Sequence, residues 1–308
     1  MRVLVVGAGA MGCLYGAALH RAGCVVTLVD VNAEHIAAIN ARGLELERRS
    51  GTELLPIPAC QPGEVSGTAD LVLLFTKTFH TASALSGIQH AIGPETYVLT
   101  LQNGLGNAEA IAGFVPRERV MVGVSMLPSD YVGPGRVRSH GDGGTKLYHA
   151  FGGDGAMPGK VAALLSEGDL PATTDPAVLE VVWSKAIFNA AMNPLCALTR
   201  RTPGFFFAKP VARDTIRTVV EEGVAAARAN GVMVNAEPIH ALTLVSMTDH
   251  ANHEASMLQD VKHGRPTEVD AINGAIVRAG EPAGSPCPVT KTLWRPIKLE
   301  DAKLLETG

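Results

Sequence analysis

The 308-residue sequence predicts an α/β domain followed by an all-α domain, and two stretches carry that prediction. The first is residues 1–30, where an apolar β-branched run, Arg2–Val6, leads through glycines into a helix-forming segment and back to a second apolar run, Val25–Val29. The second is the change of period at Asp175, after which helical spacing holds to Leu305 between Pro- and Gly-containing breaks. Strands mixed with helices and then helices alone imply two domains, expected at 1–174 and 175–308.

The amino-terminal stretch contains Gly7-Ala8-Gly9-Ala10-Met11-Gly12, a G-x-G-x-x-G placed between a strand and a helix as its chemistry requires. Gly7 makes the tight turn, Gly9 lets the backbone approach a pyrophosphate, and Gly12 lets helix and strand pack closely. Gly9, Ala10, Met11 and Gly12 then offer the N–H groups and the positive dipole end of the helix to the phosphates. The second strand stops at Asp30, where a carboxylate would accept adenosine ribose hydroxyls or cap the helix beginning near Ala33. Together these features define a Rossmann-like dinucleotide-binding unit. A 2′-phosphate about 4 Å from Asp30 would be repelled by roughly 1 to 4 kcal/mol per unit charge, and Val31-Asn32-Ala33 supplies no cation, so NAD is expected, with NADP as the alternative.

Farther along, Ala33–Ala41 reads as a helix, and Gly43–Glu47 with Glu53–Ile57 as a partly exposed hairpin. Asp70–Phe75 is a buried strand ending at Thr76-Lys77-Thr78, which makes Lys77 a candidate contact to cofactor or substrate or a solvated lysine opening a helix. Tyr97–Leu101 ends in Gln102-Asn103-Gly104; Asn103 would hold a nicotinamide or a substrate oxygen, or simply form an Asn-Gly turn. Val120–Met126, Arg136–His140 and Lys146–Phe151 are expected as antiparallel additions to the sheet edge, followed by a helix over Pro158–Glu167.

In the helical half, Val181–Leu195 is apolar nearly all round, the pattern of a buried helix. Its long polar exceptions, Lys185, Asn189 and Asn193, fall at i, i+4 and i+8 on one face, which requires a polar cavity. Desolvation there would lower the lysine pKa toward working pH and suit it to general acid catalysis. A second polar cluster spans Ser256–Asp260 and Gly264–Gly274, with Thr267 read as a helix N-cap and Glu268 in the first turn. Glu268 would stabilise that helix end or project beside Lys185 to accept a substrate hydroxyl, with Ser256 alongside. His240, His250, His253 and His263 match no metal-ligand spacing and read as solvated. Phe205–Phe207 would fill an interhelical gap or line the pocket.

A formal net charge of −4 argues against nucleic-acid binding by bulk electrostatics. Five scattered cysteines without a C-x-x-C pair suggest reduced thiols in a cytoplasmic protein, and no apolar run of membrane-spanning kind occurs. The hydrophobic helical half permits a homodimer.

Gly7–Gly12, Gln102-Asn103-Gly104, Trp183-Ser184-Lys185 with Asn189 and Asn193-Pro194, Ser256-Met257 with Asp260, and Thr267–Gly274 together resemble the ketopantoate reductase family, in order over nearly the whole chain. The resemblance implies hydride transfer between a nicotinamide and C2 of a branched 2-keto acid, with Lys185 as general acid and Glu268 anchoring the substrate hydroxyl. It also implies Asn189, Asn193 and Ser256 as substrate ligands and Lys77 and Asn103 beside the nicotinamide and reacting carbonyl. Members that use NADPH commonly carry an arginine where Asp30-Val31 stands here, and the family's Pro-Val-Asn reads Pro288-Val289-Thr290. A non-catalytic dinucleotide sensor would need the glycines but not this set of polar residues.

Overall fold

In the computed structural model, which describes residues 1–141 and 143–306, Met1–Gln102 and Asn107–Val178 form one compact unit, and Asn103–Gly106 joins Leu179–Gly308 in the other. The first unit begins with β1 (Arg2–Val6), α1 (Ala10–Arg21), β2 (Val25–Val29), α2 (Ala33–Arg42), β3 (Leu44–Arg48), β4 (Gly51–Leu55), β5 (Ala59–Cys60) and β6 (Ala69–Leu74). It continues through α3 (Thr81–Gly87), β7 (Ile92–Thr100), α4 (Asn107–Ile111), β8 (Val120–Ser125), β9 (Asp130–Gly133), β10 (Arg136–Ser139), β11 (Thr145–His149), α5 (Ala156–Glu167) and β12 (Ala172–Thr174).

Among the described residues, eight strands form one sheet in the order β12-β11-β8-β7-β6-β1-β2-β5, parallel except where β11 meets β8. β1 is flanked by β2 on one side and β6 on the other, so the strand order reverses at β1, the switch point at whose carboxyl side sheets of this kind bind ligands. The β1 side chains Val3, Leu4 and Val5 have no exposed surface, as a central strand covered on both faces requires. Two sequence expectations need correction. β8 runs parallel to β7, because a short helical crossover carries the chain back before it, and β10 lies in a separate four-stranded sheet, β4-β3-β10-β9. There β10 pairs in parallel with β3, aligning Arg136 with Glu45 in an ion pair of 2.9 Å.

The second unit is helical: α6 (Val178–Thr199), α7 (Pro210–Ala229), α8 (Ala236–Thr248), α9 (Ser256–Lys262), a π-helical turn (Asp270–Gly274), α10 (Ala275–Gly280) and α11 (Pro288–Glu306). The expected single helix over Glu268–Ala279 is therefore a π-turn running into a short α-helix, a widened geometry that recurs at functional sites. Its core gathers Ile187, Ala190, Ala191, Val219, Val220 and Ile276. Of the aromatic run, Phe206 is buried in this core, whereas Phe205 and Phe207 are exposed and Phe205 lies under the Lys209 ammonium. Thr290, the departure from the family pattern, is fully buried; its N–H and hydroxyl both donate to Glu222, which caps the start of α11. Among the described residues no helix is long and apolar enough to cross a membrane.

Candidate active site

In the first unit, the turn after β1 has the shape a dinucleotide needs. Gly7 sits at φ +90°, and a Cβ there would meet the Thr76 backbone nitrogen at 2.7 Å; one on Gly12 would lie 2.1 Å from the Gly7 oxygen. A Cβ on Gly9, by contrast, would meet nothing within 4 Å, so the loop is open where a pyrophosphate would approach. Helix α1 starts at Gly9 without a side-chain cap and without an acidic residue in its first turn, leaving the N-terminal N–H groups and dipole to a ligand. These residues fit the phosphates of a nicotinamide dinucleotide.

Asp30 ends β2, and its Oδ1 accepts the Asn32 N–H at 2.9 Å. The cap of α2 is Asn32, whose side chain accepts from His35, so capping does not account for Asp30. Val31, which follows it, is 81% exposed, and no cation stands in the loop. Lys77 lies half-buried at the carboxyl end of β6, where the chain turns into a 3-10 turn at Thr78. Gln102, to which the sequence pattern alone assigns no role, fixes this loop: its amide donates to the Thr76 carbonyl at 2.7 Å and its oxygen accepts from Thr100 at 2.9 Å.

In the second unit, α6 carries the polar face that the sequence predicts. Asn189 and Asn193 are 8% and 5% exposed, and Lys185 stands on the same face. Burial pushes the Lys185 ammonium down to about 8, partly offset by the attraction of the Glu268 carboxylate. Glu268 is itself 7% exposed and accepts a hydrogen bond from the Asn103 amide at 3.4 Å. A cation, a carboxylate and an amide therefore converge from three stretches that lie far apart in the sequence. The expected N-cap at Thr267 does not form: the helical turn opens at Asp270 with Val269 in the cap position and no side-chain cap, so Glu268 precedes the turn, while the Thr267 hydroxyl accepts the Val269 N–H at 3.3 Å and donates to Asp301 at 2.9 Å. Ser256 is exposed at the first turn of α9, one turn before the buried Asp260.

Two contacts fix this geometry. Gly104, at φ +81°, lies so close to the π-turn that a Cβ would stand 2.3 Å from the Ala271 oxygen, and the adjacent Leu105 N–H donates to that oxygen at 2.8 Å. Pro194 lies inside α6 and has no N–H for the Ala190 carbonyl four residues back; the Asn273 amide donates to that carbonyl instead, at 3.0 Å. Asn273 is fully buried, and the sequence reading gave it no role. The available signal was an amide in the helix facing an Asn-Pro helix interior. Among the described residues, no group of three or more His, Cys, Asp or Glu could hold a metal ion.

Comparison with known proteins places this arrangement in context. A family model described as "Ketopantoate reductase PanE/ApbA" matches residues 3–150, and its C-terminal counterpart matches residues 177–300. The chain is 34% identical over 305 residues to the 2-dehydropantoate 2-reductase of Streptococcus pyogenes serotype M3, covering 99% of each. It is 34% identical over 304 residues to the protein of the same name from Halobacterium salinarum, covering 97% of this chain and 98% of that one. Among solved structures, the ternary structure of D-mandelate dehydrogenase with NADH and anilino(oxo)acetate superposes with a TM-score of 0.92 at 32% identity, covering 99% of both chains.

Proposed function

The chain belongs to the ketopantoate reductase family, whose members are NAD(P)-dependent reductases of keto acids, and from that premise we propose an NADH-linked reductase of branched or aromatic 2-keto acids, working reversibly on the D-2-hydroxy acid. The observation that carries the reading is the polar face of α6, with Lys185 within electrostatic reach of the buried Glu268 that Asn103 holds. The nicotinamide, when bound, supplies the hydride that the keto carbon accepts. Lys185 gives its proton to the oxygen of that carbonyl, and its lowered pKa lets it do so and recover the proton near neutral pH. Glu268 accepts a hydrogen bond from a hydroxyl where the substrate carries one, as ketopantoate does, while Asn103, Asn189, Asn193 and Ser256 bind its other polar groups. The glycine turn, with Gly7, Gly9, Ala10, Met11 and Gly12, holds the dinucleotide, and Lys77 contacts its nicotinamide half.

Asp30 selects the cofactor in this reading. Its carboxylate accepts ribose hydroxyls and repels a 2′-phosphate, and Val31-Asn32-Ala33 after it supplies no cation to offset that repulsion. Support for the keto-acid range comes from the relatives named for 2-dehydropantoate and from D-mandelate dehydrogenase, whose structure holds NADH. A second reading, an NADPH-dependent 2-dehydropantoate 2-reductase, is favoured by the names of the curated relatives. The chain would work as a monomer or a homodimer on small-molecule substrates.

Steady-state reduction of ketopantoate and of a panel of branched and aromatic 2-keto acids, with NADH and NADPH side by side, separates the two. At 1 to 4 kcal/mol of repulsion, kcat/KM should favour NADH by about fivefold to several hundredfold, and Asp30→Asn should erase most of that preference. Preference for NADPH with ketopantoate as the best substrate would overturn the first reading and establish the second.

A further inference from the structure

We propose that His35 is a positioning residue for the cofactor, a clamp beneath the glycine turn that aims the Gly9 N–H toward the pyrophosphate. The inference rests on reading the first unit as a dinucleotide site. His35 lies on α2, is 1% exposed, and takes no part in the chemistry described above. Its Nδ1 receives the Gly135 N–H at 2.9 Å, and a backbone N–H can only donate, so Nδ1 is the acceptor nitrogen. The proton of the neutral ring is therefore on Nε2, which donates to the Ala8 carbonyl at 2.8 Å.

Both ring nitrogens are thus engaged, one with the β9–β10 turn and one with the glycine turn. The Cys13 thiol donates to the same Ala8 oxygen at 3.0 Å; burial, with Asp30 nearby, pushes that thiol's pKa up and keeps it a neutral donor. The Tyr131 ring packs against His35 with centroids 5.2 Å apart, so the imidazole is held in place from its face as well as its edge.

The consequence follows from peptide geometry. The Ala8 carbonyl and the Gly9 N–H belong to one trans peptide plane and point in opposite directions. Holding the oxygen against His35 and Cys13 turns the Gly9 N–H the other way. Gly9 is the residue whose missing side chain leaves open space, so the clamp fixes a donor where a phosphate would accept it. A buried histidine here acts through the backbone and never touches the ligand.

Two variants divide the two bonds. A glutamine amide reaches where Nε2 lies, so His35→Gln keeps the donor to Ala8 and gives up the acceptor for Gly135. An asparagine oxygen reaches where Nδ1 lies, so His35→Asn keeps the acceptor and gives up the clamp. Fluorescence titration with NADH should give a Kd raised about tenfold or more for His35→Asn, the loss expected for one hydrogen bond in a phosphate cradle, and within about threefold of the parent for His35→Gln. Keto-acid turnover at saturating NADH should stay within about twofold in both, since Lys185 is untouched.

Equal Kd values for the two variants, whether tight or weak, would overturn the clamp. A parent protein that does not bind NADH at all would overturn the underlying reading instead. Should His35→Asn fail to fold, His35→Leu removes the ring donor to Ala8 while filling the same space, and a Kd unchanged from the parent would reject the proposal.

Discussion

Lys185→Ala should lower turnover on the best 2-keto acid by on the order of 10²-fold or more while leaving NADH affinity within a factor of two or so. The asymmetry follows from where the lysine sits. It belongs to the helical unit with Glu268 and Asn103, whereas the glycine turn proposed to hold the dinucleotide is built in the α/β unit. Titrating the parent enzyme adds a second readout. With Lys185 as the proposed general acid, reduction needs the protonated amine, so kcat should be level below about 8 and fall about tenfold per pH unit above it. Oxidation of the 2-hydroxy acid needs the neutral amine and should rise through the same range. In Lys185→Ala both breaks should vanish. Parent-like turnover in that variant would remove Lys185 from the chemistry.

Gly104→Ala is expected to cost about 10²-fold in kcat/KM for the keto acid, the scale of an ångström-sized misplacement of a catalytic group. The new Cβ would stand 2.3 Å from the Ala271 oxygen, and the left-handed φ of +81° adds strain of its own, roughly 1 to 2 kcal/mol. Neither side can yield cheaply, because the Cβ is fixed by the Gly104 backbone, the oxygen belongs to the Ala271 backbone, and Leu105 is bonded to the same carbonyl at 2.8 Å. Relief of the clash must separate Asn103 from Glu268, which are joined at 3.4 Å. Gly106→Ala is the natural control: φ is +88°, so the strain is alike, but its Cβ meets nothing within 4 Å. Similar kinetics for the two variants would show that strain alone, rather than docking onto the π-turn, sets the cost.

The parts of this protein that were legible in its sequence are those whose causes are local. Strand, glycines, helix and Asp30 lie within thirty residues, and each constrains the next through turn geometry and burial. The polar face of α6 was legible because an otherwise apolar helix leaves Lys185, Asn189 and Asn193 nothing else to do. Pairing across distance was not. The alternation in Arg136–His140 suits an edge of either sheet, and only β3, about ninety residues earlier, decides that β10 joins the smaller one. The docking of Asn103–Gly106 on Ala271 and the π-turn itself depend on the same kind of long-range fit. His35 reads as an ordinary polar residue of an amphipathic helix until the turns at Ala8 and Gly135 are folded around it.

Pro194 and Asn273 lie in stretches well separated along the chain, yet the Ala190 carbonyl joins them into one energetic unit. Pro194→Ala returns an N–H to α6 and leaves the Asn273 amide competing for an occupied acceptor; Asn273→Ala leaves the carbonyl buried with no donor at all. The double variant restores an ordinary helix with neither group stranded. A double-mutant cycle on unfolding free energy should therefore show the pair losing about 1 to 2 kcal/mol less than the sum of the single losses. Strict additivity would dissolve the link. If the coupling holds, substitution at either position is epistatic on the other: each change costs about 1 to 2 kcal/mol less once its partner has been replaced, so engineering should exchange the two residues together.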